Sequence, residues 1–317
     1  KANANRPSLN WDSYKPTRPK FTGTKVFENF SLETLRKYID WTPFFITWSL
    51  AGKYPAILQD ERVGEAARDL FSDAQEMLNE IIEQNLLTAK AVIGLWPANR
   101  VGDNDVELFT GKGNSESTET LHFLRQQMPK EPDLSNLSLA DYIAPAGVED
   151  YIGGFAVTAG IGAGVLSAKY EKENNDYASL MVKALADRLA EAFAEHMHLL
   201  VRKEFWGYAP DEKLANQELI TEKYQGIRPA PGYPACPDHS EKETLFKLLN
   251  ANEEIGIELT ESFAMMPAAS VSGFYFSHPD IKYFPVGKIS EDQVADLAQR
   301  KGKPIEDMSK LLNPNLA

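Results

Sequence analysis

The chain has 317 residues, 43% of them apolar, enough for one large core or two modest ones, and 46 acidic against 33 basic residues give a formal charge of −13. A field of that sign disfavours nucleic acid, with no basic stripe to offset it, and no apolar run approaches the roughly 18 residues of a membrane-spanning helix. A single cysteine, Cys236, excludes an intrachain disulfide and any multi-cysteine zinc or iron–sulfur site, which fits a reducing, cytoplasmic setting.

Residues 1–24 open with KANANRPSLNWDSYKPTRPK, polar and proline-containing with no apolar stretch. They read as a linker, not a signal peptide, ahead of a single domain over 25–317. A first residue of Lys suggests a segment of a longer protein. Ser31 can cap a short helix, LETLRKYID, that ends near Asp40. Trp41–Leu50 (WTPFFITWSL) is aromatic and β-branched, so a buried strand or turn is expected. Residues 61–85 place Ala66, Leu70, Ala74, Leu78 and Ile81 or Ile82 on one face, the pattern of an amphipathic helix.

From about residue 90 the texture becomes that of strands. AVIGLWPA, a turn at Asp103-Asn104 and VELF read as a pair, and TETLHFLRQQ and DYIGGFAVTA as further strands. The longest helix spans about Asp176 to Phe205, with Met181, Ala184, Leu185, Leu189, Ala192, Phe193, His196, Leu199 and Leu200 as its apolar stripe and Arg188 at the edge. Residues 208–223 are polar and helical in part, 226–239 form a loop, and ASVSGFYFSHPDIKYFPV is strand-like. Ser290-Glu291-Asp292-Gln293 has the form of a capping box opening a helix that ends at Gly302, and a last helix covers about 304–312. Short strands alternating irregularly with helices predict an α+β fold: a twisted antiparallel sheet with flanking helices, forming one domain with a helical subregion.

Four segments are candidates for chemistry. Arg228–Pro237 (RPAPGYPACP) holds four prolines in ten residues, which fix φ repeatedly and make a loop that loses little entropy on holding a ligand. Arg228 offers a planar fork for a carboxylate, and Tyr233 an aromatic face with a hydroxyl. The alternative is a rigid surface connector whose arginine pairs with a local acid. Asp187, Glu191 and Glu195 recur every four residues with His198 three further on, so they share a face: either a carboxylate stripe toward a cationic ligand or, by default, a solvated face. Gly160-Ile161-Gly162-Ala163-Gly164 sits between strand and helix, but its third glycine comes one residue early for a dinucleotide loop, so a flexible turn is expected. Cys236 and His239 alone do not make a metal site. Composition and spacing thus reach a small-molecule cleft and go no further.

The stretches YIDWTPFF around Asp40, WSLAGKYP, LWPANRVGD, MVKALADRLAEAFAEHMH, WGYAP, YQGIRPAPGYPACPDH, LTESFAM and SVSGFYFSHPDIKYF together resemble the activation (reactivation) domain of cobalamin-dependent methionine synthases. The resemblance covers roughly residues 25 to 316, departing mainly in the loops 145–149 and 161–175 and at the C-terminus. It implies a module that binds S-adenosylmethionine and presents its methyl group to cobalamin when the parent enzyme has been oxidised. The electron would come from flavodoxin or a flavoprotein reductase. Cobalamin and zinc would be carried by other modules of the parent enzyme, and the fragment would not be catalytic without the cobalamin module. No membrane or nucleic-acid partner is implied.

Carried over by position, Asp40, Glu191, Arg228, Ala230, Tyr233, Tyr283 and Phe284 would bind S-adenosylmethionine, with Glu222 as a further neighbour. Arg228 would pair with the methionyl carboxylate, and Asp187 would face the cobalamin module. No residue is implied as a catalytic base or a metal ligand. Two rival readings remain open at this stage: a docking module with no ligand of its own, and an independent S-adenosylmethionine-dependent methyltransferase.

Overall fold

The structure, a computed structural model, describes residues 1–109 and 117–317. In chain order it comprises β1 (Gly23–Phe30), α1 (Leu32–Arg36), α2 (Thr42–Thr47), α3 (Gly64–Glu83), β2 (Thr88–Val101), β3 (Asp105–Phe109), β4 (Ser117–His122), β5 (Tyr151–Ile161), α4 (Ala163–Lys172) and α5 (Asp176–Leu200). A π turn, Val201–Phe205, prolongs α5. There follow α6 (Asn216–Ile220), α7 (Glu241–Leu249), α8 (Ala251–Ile255), β6 (Glu258–Leu259), β7 (Met265–Met266), β8 (Ser270–Tyr275), α9 (Glu291–Lys301) and α10 (Ile305–Leu311).

The expected α+β class holds. Six strands form one antiparallel sheet in the order β4-β3-β2-β5-β8, with β1 also on β2. The long β2 organises it: residues 89–95 pair with β1, 98–101 with β3, and 88–97 with β5 on the other edge. Its side chains alternate between two cores, as the period of two requires. Ala91, Ile93 and Leu95 face the α1–α5 layer, whereas Val92, Trp96 and Ala98 face a layer built from α7–α10. β5 does the same, with Phe155 and Val157 on the first side and Ile152 and Ala156 on the second. A sheet covered on both faces explains why these strands read as nearly continuous apolar runs.

α5 is the helix that positions the site. Met181, Leu185, Leu189, Phe193 and Met197 bury its stripe against the sheet, at no more than 1% exposure. The expected stripe is met from Met181 to His196, while Leu199 and Leu200 are only partly buried.

Several expectations change. Trp41–Leu50 is neither strand nor turn: it contains α2, with Pro43 in the first turn, where proline fits, and the Thr42 N–H donating to Asp40 Oδ1 at 3.0 Å. Its aromatic content reflects the complete burial of Phe44 and Phe45, not strand pairing. In α3 the buried alanine is Ala67, not Ala66, because the stripe follows Ala67, Leu70, Ala74, Leu78 and Ile81. Residues 161–175, expected as a loop, contain α4. The pairing of TETLHFLRQQ ends at His122. α9 starts and stops as expected, but the capping box does not form. Gln293 instead exchanges two hydrogen bonds with the backbone of Arg125, at 2.7 and 3.0 Å. Ser31 does cap α1, accepting from the Thr34 N–H.

The N-terminal segment lies against the rest of the molecule. Asn5 donates to Asn136 Oδ1 at 2.8 Å, Tyr14 packs edge-on to His278, and the Trp206 indole N–H donates to the Thr17 carbonyl at 2.7 Å.

Candidate functional site

The proline-rich loop is pinned to the sheet at its start and folded on itself afterwards. Ile227 and Phe276 exchange both backbone hydrogen bonds at 3.0 Å, and the Phe274 N–H donates to the Pro229 carbonyl at 2.9 Å. That close approach needs Gly273, where a Cβ would stand 2.8 Å from the Pro229 oxygen. Beyond Ala230 the chain turns sharply: the Gly232 N–H reaches Cys236 O at 2.7 Å and the Tyr233 N–H reaches Ala230 O at 3.1 Å. Gly232 has φ +95°, and a Cβ there would lie 2.1 Å from the His239 ring. The loop is therefore a rigid wall, and Arg228 lies at its root.

This wall, α5 and the strand faces of β5 and β8 enclose a cleft of about 600 Å³, which holds Glu191, Arg228, Ala230, Tyr233, Tyr283 and Phe284 on its lining. A neighbouring cavity of about 360 Å³ is lined by Tyr38, Asp40, Arg188 and Glu195 among others. Glu191, Glu222 and Arg228 belong to both linings, so they stand at the junction. Eight of the nine residues singled out in the sequence thus surround one two-chambered space. The ninth, Asp187, is exposed on α5 outside both linings and pairs with Arg188. The glycines 160–164 line neither chamber. They end β5 and open α4, with Gly162 at φ +94°.

The electrostatics separate into two kinds of group. Nη2 of Arg228 donates to Glu195 Oε2 at 2.7 Å, and its backbone N–H donates to the Tyr283 hydroxyl at 2.9 Å. Burial works against the charge of Arg228, but Glu195, Tyr224, Tyr283 and Glu191 together outweigh it, so the guanidinium is held above its ordinary pKa. Among the described residues Nε of Arg228 has no protein partner. Burial raises the pKa of Glu191, with Arg228 and Arg188 drawing it partly back, and burial likewise raises that of Tyr283. Glu222 is exposed at the junction with φ +55°, a left-handed conformation sparse for residues other than glycine. Tyr233 is 63% exposed at the mouth, whereas Phe284 is 7% exposed within.

One chamber thus combines a guanidinium, carboxylates, aromatic faces and an apolar wall. Such a set suits a ligand carrying both an amino-acid group and a flat ring system.

The carboxylate stripe of α5 is not a solvated face. Asp187 is exposed, but Glu195 is 6% and His198 0% exposed. The four-residue spacing placed these groups together without revealing that Arg228 would approach from another element and draw Glu195 inward. Tyr38, Phe155, Lys242, Met265 and Ser272 also line the space and were not singled out. The alternation in SVSGFY was the available sign for Ser272, which shares a face of β8 with Phe274 and has a buried hydroxyl with no partner among the described residues.

The sequence profile described as "Vitamin B12 dependent methionine synthase, activation domain" matches residues 31–302. A solved structure described as the crystal structure of the MetH reactivation domain bound to AdoHcy is similar to the chain with a TM-score of 0.97 and 52% sequence identity. The match covers 100% of this chain and 97% of that one.

Proposed function

The chain belongs to the activation-domain family of vitamin B12-dependent methionine synthases, and from that premise we propose that its two-chambered cleft binds S-adenosylmethionine and presents the methyl group to cobalamin for reactivation of the enzyme. The observation that carries this reading is the position of Arg228. Its guanidinium stands where both chambers meet, facing Glu191 and Glu222, with Tyr283 and Phe284 on the same lining. The AdoHcy in the similar solved structure, the product left when S-adenosylmethionine loses its methyl group, supports the same ligand class.

In this reading Arg228 takes the methionyl carboxylate through the guanidinium edge not engaged by Glu195. The carboxylates of Asp40, Glu191 and Glu222 attract the ammonium and the sulfonium. Tyr283 and Phe284 hold the adenosyl end, with backbone contacts from Ala230. Tyr233, at the mouth, faces the incoming cobalamin module, and Asp187 on the exposed side of α5 meets the same module. Cobalamin, carried by that module, supplies the cobalt that receives the methyl group, with an electron from flavodoxin or a flavoprotein reductase.

No side chain of this chain needs to move a proton, because the sulfonium leaves as a neutral thioether. What the chain contributes is alignment, worth several kcal/mol in oriented reactions, together with exclusion of water. Residues 25–317 act as one domain in this reading, with residues 1–24 as the linker ahead of it. The setting is cytoplasmic. Among the described residues no helix is long and apolar enough to cross a membrane.

Methyl-labelled S-adenosylmethionine tests the proposal. Incubation with the chain and a reductant should move label only when the cobalamin module is added. Label reaching other acceptors without it would favour an independent methyltransferase. No ligand retention by folded protein would favour a docking module.

A further inference from the structure

Two charged side chains are not used directly by the proposed function: Glu195, on the wall of the smaller chamber, and Arg202, which lines neither chamber. Glu195 is 6% and Arg202 0% exposed. Burying an ion is costly unless it is paired in good geometry. Here the pairing forms a line that runs from the interior to the ligand-facing arginine. The Nε and Nη2 of Arg202 donate at 2.8 Å to the two oxygens of Glu212, a bidentate fork that fixes the plane of the guanidinium. The same guanidinium lies 4.1 Å above the Tyr224 ring. Its Nη1 is 4.0 Å from Glu195 Oε1, a charge–charge contact beyond hydrogen-bond reach in which neither atom has a hydrogen-bond partner among the described residues, and Glu195 Oε2 accepts from Arg228 at 2.7 Å.

The backbone at this point is unusual too. The turn carrying Arg202 is a π turn, with the Trp206 N–H reaching back five residues to Val201 O at 2.9 Å. Such turns are rare and concentrate at functional sites.

We propose that Glu195 and Arg202 are positioning residues for Arg228: the line Glu212–Arg202–Glu195 holds Nη2 of its guanidinium and leaves the remaining donors for the ligand's carboxylate. The inference rests on Arg228 being the carboxylate receptor. An arginine stem has several rotatable bonds, and a fork already fixed loses less freedom on binding. The opposing possibility is that Glu195 merely competes with the ligand for the guanidinium. The two differ in sign. Positioning means that loss of Glu195 weakens recognition of the carboxylate, and competition means that its loss strengthens it.

The test is the ratio of dissociation constants for decarboxylated S-adenosylmethionine and S-adenosylmethionine, measured by calorimetry on wild type, Glu195→Gln and Arg202→Lys. Wild type should prefer the carboxylate-bearing ligand by roughly ten- to hundredfold, the range expected of a charge-assisted pair. Glu195→Gln should lower that ratio about tenfold by weakening S-adenosylmethionine alone, and Arg202→Lys should lower it in the same direction. A merely structural role would weaken both ligands together and leave the ratio unchanged. An unchanged or increased ratio in folded variants overturns the inference. If Glu195→Gln does not fold, Glu212→Gln at the outer end of the line decides by the same ratio. A wild type with no preference would instead refute the carboxylate assignment of Arg228, which the variants alone cannot do.

Discussion

Glu191 stands at the junction of the two chambers, and burial raises its pKa while Arg228 and Arg188 draw it partly back. Two pH effects of opposite direction follow from that one shift. Attraction for a sulfonium needs the carboxylate, so affinity for S-adenosylmethionine should fall as pH drops through the raised pKa, starting above the usual glutamate range. Folding responds the other way. A raised carboxyl pKa contributes stability that is fully present below the unfolded value and is lost as pH rises through the folded one.

Glu191→Gln should therefore flatten the acid limb of the affinity profile and weaken binding by roughly 1–2 kcal/mol at neutral pH. Calorimetry across pH, set beside thermal melts, reads both effects. Parallel trends in affinity and stability would remove Glu191 from the cation site. Asp187 belongs to a different surface. Asp187→Lys should leave the affinity for S-adenosylmethionine unchanged and weaken association with the cobalamin module, measured by co-sedimentation. Equal losses in both would place it in the cleft.

Residue identity drew attention to Arg228 and Glu191, through a planar fork and a spaced row of acids, but a connector and a solvated face remained the default readings, and their ligand roles came from the family resemblance. The partnership of Arg228 with Glu195 was not legible. It joins residues 33 positions apart on separate elements, and no spacing rule along one helix specifies that.

At the level of elements, the loop 228–237 acts as a wall because it is tied at defined points. Gly232 is where that wall turns, and its positive φ together with the His239 ring leaves no room for a Cβ. Gly232→Ala should cost roughly 1–3 kcal/mol of stability through backbone strain and contact with the ring. It should also weaken ligand binding, since Ala230 and Tyr233 lie on the same turn. Denaturant unfolding and ligand titration of one preparation measure both. Unchanged values would mean that the turn is not the support described.

The helices α3 and α5 were readable because their apolar positions follow a period of 3.6, and β2 and β5 because each reads as a nearly continuous apolar run. α2 was not. Its aromatic residues are also those of a buried strand, and only the fit of Pro43 in a first turn and the Asp40 bond to Thr42 make it a helix. The predicted capping box misled for a related reason: Gln293 has the right side chain at the right spacing, but Arg125 provides a closer tertiary partner.

Across the whole molecule, one antiparallel sheet carries two cores, and the cleft forms where the proline-rich loop, α5 and the strands β5 and β8 converge. The α+β class could be inferred from the irregular alternation of short strands and helices. The two-chambered shape could not, because it depends on which strand neighbours which. β8 adjoins β5 although more than a hundred residues separate them in the chain. The N-terminal segment gave the expected linker composition but is seated on Trp206 and His278. Isolated contacts between distant polar side chains leave no trace in composition. Docking of this kind becomes visible only when the surface it meets is known.

In the proposed complex Arg228 holds the carboxylate of S-adenosylmethionine at the junction of the two chambers. The most direct test of this contact is calorimetric titration of the chain with S-adenosylmethionine, with no cobalamin present, in wild type and Arg228→Ala. Saturable one-to-one binding that weakens by roughly 2–4 kcal/mol in a folded variant is the result expected from loss of a charge-assisted pair in a partly buried site. Equal affinity in the two folded proteins would contradict it.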